Sequence, residues 1–293
     1  MATRSEILAK ASALRALFEA RGAMVVDPPI LQPAETLLDL YGEDIRARAY
    51  VTSDALRGEQ MLRPDYTVPV VQMHMTHGAK PARYTYAGEV FRRQEKDPTR
   101  ANEYIQVGYE VFDDADPAAA DAEVFASISQ GLSGLPVAAV TGDIGILMAA
   151  VKGLDTSVPR KSALMRHIWR PRRFRALLDR YSGKTPVPAA RSALLAGDGK
   201  IDAPLIGLRS AAEIQSRIQA LREDAACGPL GAGQVELIQA LLDIRETMHN
   251  AISQLRDIAV DLPAISDAVD RLALREKALT ERGVDTANLM FEA

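Results

Sequence analysis

The sequence predicts an α+β fold: an antiparallel sheet flanked by helices, with a helical second half. Three observations predict it. Short runs rich in β-branched and aromatic residues alternate with helical periodicity up to about residue 156. Beyond that point nearly every apolar residue falls on a helical spacing. Within the first part, two runs, 83–91 and 104–112, alternate with the two-residue period of a strand. The pattern divides the chain into a mixed region at 1–156, a helical insertion at 157–260, and a helix and strand at 261–293 that return to the first region.

The elements follow in order. Thr3-Arg4-Ser5-Glu6 reads as a capping box, with Ile7, Ala11, Leu14 and Phe18 on one stripe of a helix over 5–21 and Gly22 as its stop. Strands are expected at 24–26, 49–52, 60–63, 83–91, 104–112 and 137–141. Helices are expected at 34–40, 67–76, 118–130 and 144–152, the third opened by Pro117 at its first position. Val235, Ile238, Leu241, Leu242, Met248, Ile252 and Leu255 form one long amphipathic stripe, which Pro263 breaks before a further helix to about Arg282. Cys227-Gly228-Pro229, with Gly231 and Gly233, is a loop between helices. Asn288-Leu289-Met290-Phe291 begins an apolar strand with no successor, so a truncated or shortened chain is expected, the former preferred.

Composition bounds the function. Hydrophobic residues at 47% and charged residues at 25% exclude a disordered or fibrous chain. Thirty-five basic against 39 acidic side chains leave a net charge of −4, which argues against bulk binding of RNA through its phosphates. The sole cysteine, Cys227, rules out an internal disulfide and a cysteine-rich zinc site. No apolar run approaches the roughly 18 residues that cross a bilayer, and the N-terminus opens a helix rather than a signal peptide. A soluble, cytoplasmic protein is expected.

The runs 83–91 and 104–112 carry the candidate site. In the second, Ile105, Val107, Tyr109 and Val111 point one way, toward the core, while Gln106, Gly108 and Glu110 point the other. In the first, Gly88 shares a face with Tyr86 and Arg92. The glycines predict open space above the backbone, between a carboxylate and a guanidinium. Such a face suits a small zwitterion, its ammonium on Glu110 and its carboxylate on Arg92. A half-exposed sheet with a polar outer face explains the same alternation, and the spacing leaves both readings open. The polar connection from Arg93 to Glu103 is longer than an ordinary hairpin loop, as binding loops are.

These residues resemble a known family. Tyr86, Gly88, Phe91-Arg92, Arg100, Gln106, Gly108 and Glu110-Val111-Phe112 are similar to motif 2 of the class II aminoacyl-tRNA synthetases, most closely the histidyl branch. Leu62-Arg63-Pro64-Asp65-Tyr66-Thr67 resembles that branch's histidine-contacting segment. Phe18-Glu19-Ala20-Arg21-Gly22 and Pro29-Ile30-Leu31-Gln32 sit where motif 1 begins, and Asp121-Ala122-Glu123-Val124 matches the helix after motif 2. The resemblance covers roughly residues 5–155 and only loosely the remainder. It implies a class II synthetase-like sheet, and a histidine pocket of Asp65, Thr67, Arg92, Gln106 and Glu110.

Departures from the family are equally specific. Gln94 stands where the synthetases have an acidic residue for the adenine, Asn102 replaces a late basic residue of the loop, and Gln32 replaces the acidic end of motif 1. With Arg100 they would form a degenerate nucleotide site. The sequence contains no segment resembling the later arginines or an anticodon-binding domain. Removing one preorganised donor from a developing anionic centre costs about 3–4 kcal/mol, so no histidine activation is expected. A synthetase-like core of this kind resembles the regulatory-subunit family of short-form ATP phosphoribosyltransferase. That likeness implies a non-enzymatic, cofactor-free chain that binds histidine as effector and the catalytic subunit of ATP phosphoribosyltransferase. It also implies a homodimer within a hetero-oligomer at the first step of histidine biosynthesis. A histidyl-tRNA synthetase fragment and an RNA-binding paralogue are the alternatives.

Other features carry plainer expectations. Arg166-His167-Ile168-Trp169-Arg170-Pro171-Arg172-Arg173-Phe174-Arg175 holds five arginines and two aromatics, and reads as a solvated face or a dock for an acidic partner before an RNA contact. His74 and His77, three apart on one helix, read as a surface pair with no third metal ligand. Met73 and Met75 read as core packing. Gly142-Asp143-Ile144-Gly145 is a turn into a helix and lacks the dinucleotide spacing.

Overall fold

The structure, a computed structural model, describes residues 2–41, 45–94, 97–197 and 206–293; the His77 side chain also lies outside the described residues. The chain groups into two compact units, Met1–Val137 with Glu281–Val284, and Ala138–Thr280 with Asp285–Ala293.

The first unit opens with α1 (Arg4–Glu19), whose capping box forms as expected: the Thr3 hydroxyl accepts from the Glu6 N–H at 3.3 Å and Glu6 accepts from the Thr3 N–H at 2.7 Å. Gly22 ends it with a φ of 85°, a left-handed value that favours glycine. Then follow β1 (Met24–Val25), β2 (Leu31–Pro33), α2 (Ala34–Tyr41), β3 (Val51–Asp54), β4 (Gly58–Leu62), α3 (Thr67–His77), β5 (Ala82–Phe91), β6 (Glu103–Phe112) and α4 (Pro117–Gly131). They make two three-stranded sheets, ordered β1-β5-β6 and β2-β4-β3. β5 and β6 pair antiparallel over their whole length, from Ala82↔Phe112 to Phe91↔Glu103, while β1 joins β5 in parallel.

Helices cover both faces of this long hairpin. On one face Val107, Tyr109 and Val111 pack against Leu17 and Phe18 of α1 and Val124 of α4. On the other, Tyr84, Tyr86 and Val90 pack with Tyr66 and with Val70 and Met73 of α3. Arg83 and Glu123 tie β5 to α4 through two hydrogen bonds of 2.6 and 2.7 Å, joined by the Tyr109 hydroxyl. The guanidinium beside it holds the Glu123 carboxyl down at about 2, against an ordinary 4.5.

The second unit contains β7 (Val140–Thr141), α5 (Ile144–Gly153), α6 (Val158–Arg166), α7 (Pro171–Tyr181), α8 (Ala189–Ala196), α9 (Ala211–Ala226), α10 (Ala232–Asp243), β8 (Arg245–Thr247), α11 (Met248–Asp261), a 3-10 turn at Pro263–Ile265, α12 (Ser266–Glu281) and β9 (Met290–Glu292). Asp143 caps α5 through the Gly145 N–H at 2.8 Å, the turn the sequence predicts. Buried Arg160 donates to Asp224 at 2.7 Å and to carbonyls of Asp224, Cys227 and Gly228, capping the C-terminal end of α9, while Arg180 and Arg191 approach the same carboxylate.

Several expectations are corrected here. The stripe from Val235 to Leu255 is two helices, because β8 intervenes and pairs with β9. A short run that pairs with a remote strand carries little local signal. β9 is central in the sheet β7-β9-β8, so the apolar end of the chain finds partners on both sides and Phe291 is fully buried. Only the last two residues of the expected strand 137–141 pair. His74 is no surface residue: it is buried, stacks on Phe112 at 3.9 Å and lies 3.0 Å from the Tyr84 hydroxyl. Met75, by contrast, is exposed.

Candidate functional site

The site lies on the α3-facing side of the hairpin, where 62–67 crosses β5 and β6. Register sets the layout. Tyr84 lies opposite Glu110, Tyr86 opposite Gly108 and Gly88 opposite Gln106. The open space expected above the glycines is filled. A Cβ on Gly108 would overlap the Tyr86 ring, and one on Gly88 would overlap the Tyr66 hydroxyl. Tyr66 and Tyr86 stack face to face, centroids 4.2 Å apart at 4°. The glycines therefore make room for tyrosines of the protein, and the tyrosines shape the floor on which the polar groups stand.

Arg63 secures that floor. Its side chain is 2% exposed, donates to the Glu89 carbonyl at 2.8 Å, to the Pro28 carbonyl and to the Tyr66 hydroxyl, and lies 3.9 Å over the Tyr66 ring. Alternation alone did not single out Arg63 or Tyr66, because the contacts that fix them come from β5 and from residue 28 in the chain's fold.

Four of the five expected pocket residues converge. The Tyr86 hydroxyl donates to Glu110 at 3.1 Å, and the Thr67 side chain lies near enough to lower the pKa of each. Asp65 is close enough to Glu110 to raise its pKa electrostatically. Arg92 donates from Nε to the Pro64 carbonyl at 2.6 Å and stands 3.9 Å from Asp65. Burial is the main reason the Glu110 carboxyl lies above its ordinary range, and Thr67 and Tyr86 pull against it. The fifth residue, Gln106, faces Gly88 across the ladder, and its buried amide oxygen has no hydrogen-bond partner among the described residues. An acceptor in that state suits an incoming N–H. The cluster thus offers the Glu110 carboxylate, then Asp65 beside the Arg92 guanidinium, with the Gln106 amide oxygen on the same strand face as Glu110.

Past the end of the hairpin an open cleft of about 430 Å³ is lined by Arg48, Arg92, Arg93, Gln94, Arg100 and Tyr104. Gln94 and Arg100, two of the three residues expected at a degenerate nucleotide site, line it together. Asn102 props the loop instead: its side-chain oxygen accepts from the Gln94 N–H at 2.9 Å and its carbonyl from the Arg92 N–H at 2.8 Å. Gln32, the third departure, is buried in β2 and donates to the Pro29 carbonyl at 2.5 Å, a bond a carboxylate could not make.

Comparison with known proteins places this geometry. The family model described as Histidyl-tRNA synthetase matches residues 3–292. Proteins of Brucella anthropi and Brucella canis, each named ATP phosphoribosyltransferase regulatory subunit, are 31% and 30% identical, over 96% of this chain and 80% of theirs. Among solved structures, an ATP phosphoribosyltransferase regulatory subunit/histidyl-tRNA synthetase from Bacillus halodurans superposes with a TM-score of 0.66 at 18% identity, covering all of this chain and 65% of that one. Histidyl-tRNA synthetase from Nostoc sp. PCC 7120 gives 0.59 at 14% identity, over 97% of this chain and 56% of that one. The fold is that of the histidyl-tRNA synthetases, and the chain belongs to the family of ATP phosphoribosyltransferase regulatory subunits.

Proposed function

We propose that this chain is a non-catalytic regulatory subunit that binds free histidine in the Asp65, Thr67, Arg92, Gln106 and Glu110 cluster and acts on a catalytic phosphoribosyltransferase at the start of histidine biosynthesis. The observation that carries the reading is the cluster itself, with Glu110 at one end, Asp65 beside Arg92 at the other, and on the face of Glu110 a Gln106 oxygen that has no partner among the described residues. Glu110 takes the ammonium, Arg92 the carboxylate, and the Gln106 oxygen a ligand N–H. Gln94, on the cleft where the synthetases have an acidic residue, supports a chain that keeps the amino acid but forms no adenylate.

A site without a reaction of its own is useful when its occupancy is felt elsewhere. Coupling of that kind requires histidine to bind two states of the assembly differently, by typically ~1–3 kcal/mol. An apolar groove lined by Met24, Val25, Leu31, Pro33 and Met73, with the edge strands β1 and β2, supports a homodimer through this region. The test mixes the chain with the catalytic subunit from the same genome. Co-elution on size exclusion, histidine inhibition that needs this chain, and no histidine-dependent pyrophosphate exchange into ATP are expected. Separate elution, inhibition that is the same without the chain, or exchange at about 1 per second or faster overturns the reading.

A further inference from the structure

The segment 166–175 lies in the helical unit, remote in sequence from every residue of the proposed pocket, and the structure resolves its two aromatics into opposite roles. Phe174 is 1% exposed, in the inner face of α7 with Leu178 and Tyr181. Trp169, the chain's only tryptophan, is 73% exposed in the turn between α6 and α7. Around it Arg166, Arg170, Arg172, Arg173 and Arg175 are all exposed. Arg175 pairs with Asp243 at 3.2 Å, and no ion pair forms at Arg166, Arg172 or Arg173 among the described residues.

The charges are set against local stability. Arg172 and Arg173 occupy the first turn of α7, and that turn holds no acidic residue. Cations at this end oppose the helix dipole. A large exposed tryptophan likewise contributes nothing to the core that buries Phe174. Residues that break local rules without a compensating contact mark function. In a chain of net charge −4, five arginines within ten residues also concentrate positive potential on one small face.

We propose that this ledge docks an acidic segment of a partner protein, Trp169 supplying the apolar anchor and the arginines the charge complement. Tryptophan and arginine are the side chains that most often dominate such interfaces. Single-stranded nucleic acid is disfavoured by the same details. It is held by successive stacking platforms along a basic groove, and burial of Phe174 leaves one aromatic face here.

Trp169 is its own reporter. Its emission is followed while the intact chain is titrated with a glutamate-rich dodecapeptide, its glutamine counterpart and a 12-nucleotide oligouridine. The expected result is a blue-shifted, saturable response to the glutamate peptide that weakens with salt, and none to the glutamine peptide. Arg172→Glu with Arg173→Glu, checked for an unchanged circular dichroism spectrum, should lower that affinity at least about tenfold. If charge reversal disturbs the fold, Arg172→Gln with Arg173→Gln reads the same loss. No response to the glutamate peptide, an equal response to the glutamine peptide, an affinity that charge reversal leaves unchanged, or tighter binding of the oligouridine overturns the proposal. None of these readings depends on the histidine site.

Discussion

The surroundings of Arg63 and Arg92 share two pieces of chain, residues 62–67 and the β5–β6 hairpin, yet they treat a guanidinium in opposite ways. Around Arg63 the protein closes completely: three acceptors and an aromatic face satisfy a side chain that is 2% exposed. Around Arg92 one carbonyl fixes the Nε, Asp65 stands off at 3.9 Å, and the side chain is 42% exposed where it lines the cleft. A buried charge persists only when the fold meets nearly all of its bonds, so the first arginine is structural. A half-exposed one tolerates donors turned to solvent, which a ligand then uses. The contrast tells which polar residue of a strand-rich site holds it up and which is offered to a partner.

The contrast breaks most visibly at Arg63. Arg63→Met strands the Glu89 and Pro28 carbonyls and the Tyr66 hydroxyl, and a loss of about 3–5 kcal/mol is expected in chemical denaturation. A loss below about 1 kcal/mol would show that the closed surroundings reorganise freely.

Next comes acid. Glu123 has its pKa lowered from 4.5 to about 2 by Arg83, so its contribution is present above the ordinary carboxylate range and lost as pH falls through about 2. That amounts to about 3 kcal/mol at most. Glu123→Gln should therefore destabilise the chain at neutral pH and flatten the acid limb of its stability curve. A limb of unchanged slope refutes the pairing.

Gly88→Ala sharpens the same boundary from the other side. Its Cβ would overlap the Tyr66 hydroxyl and stand 3.0 Å from the Arg63 guanidinium, so about 1–3 kcal/mol of thermal stability should be lost. Adding Tyr66→Phe relieves the overlap, and the pair should cost less than the sum of the two single changes.

The smallest effect on stability is expected at Arg92. Arg92→Ala should leave stability within about 0.5 kcal/mol, while calorimetric titration should show histidine affinity falling roughly 10- to 150-fold. Glu110→Gln should weaken binding over the same range. Because burial raises the Glu110 pKa, affinity should also decline as pH falls while still above the ordinary carboxylate range. That dependence should vanish in the Gln variant.

Local chemistry was readable because its causes are local. The capping box at Thr3–Glu6, the turn at Asp143 and the two-residue alternation of β5 and β6 are each dictated by neighbours a few residues away, and each appears where the spacing puts it. The face shared by Gln106, Gly108 and Glu110 was equally legible, since a strand leaves no choice about which residues point together. The family likeness added Asp65 and Thr67, which no periodicity links to the hairpin.

Tertiary structure decided whatever depends on an atom from a remote segment. Whether a glycine opens a hole or admits a ring depends on what crosses above it, and Tyr66 over Gly88 comes from 22 residues away in the sequence, Tyr86 over Gly108 from the strand opposite. Arg63 reads as one more cation until β5 and residue 28 surround it. His74 reads as a surface histidine until Phe112 and Tyr84 cover it. β8 hides inside a helical stripe because a three-residue strand is held by its partner β9 rather than by its own propensity. The sequence by itself determined the local elements and the chemistry each face displays. Only the packing of distant segments, through burial and the demand that every buried polar group find a partner, decided which of those groups are sealed and which remain to bind.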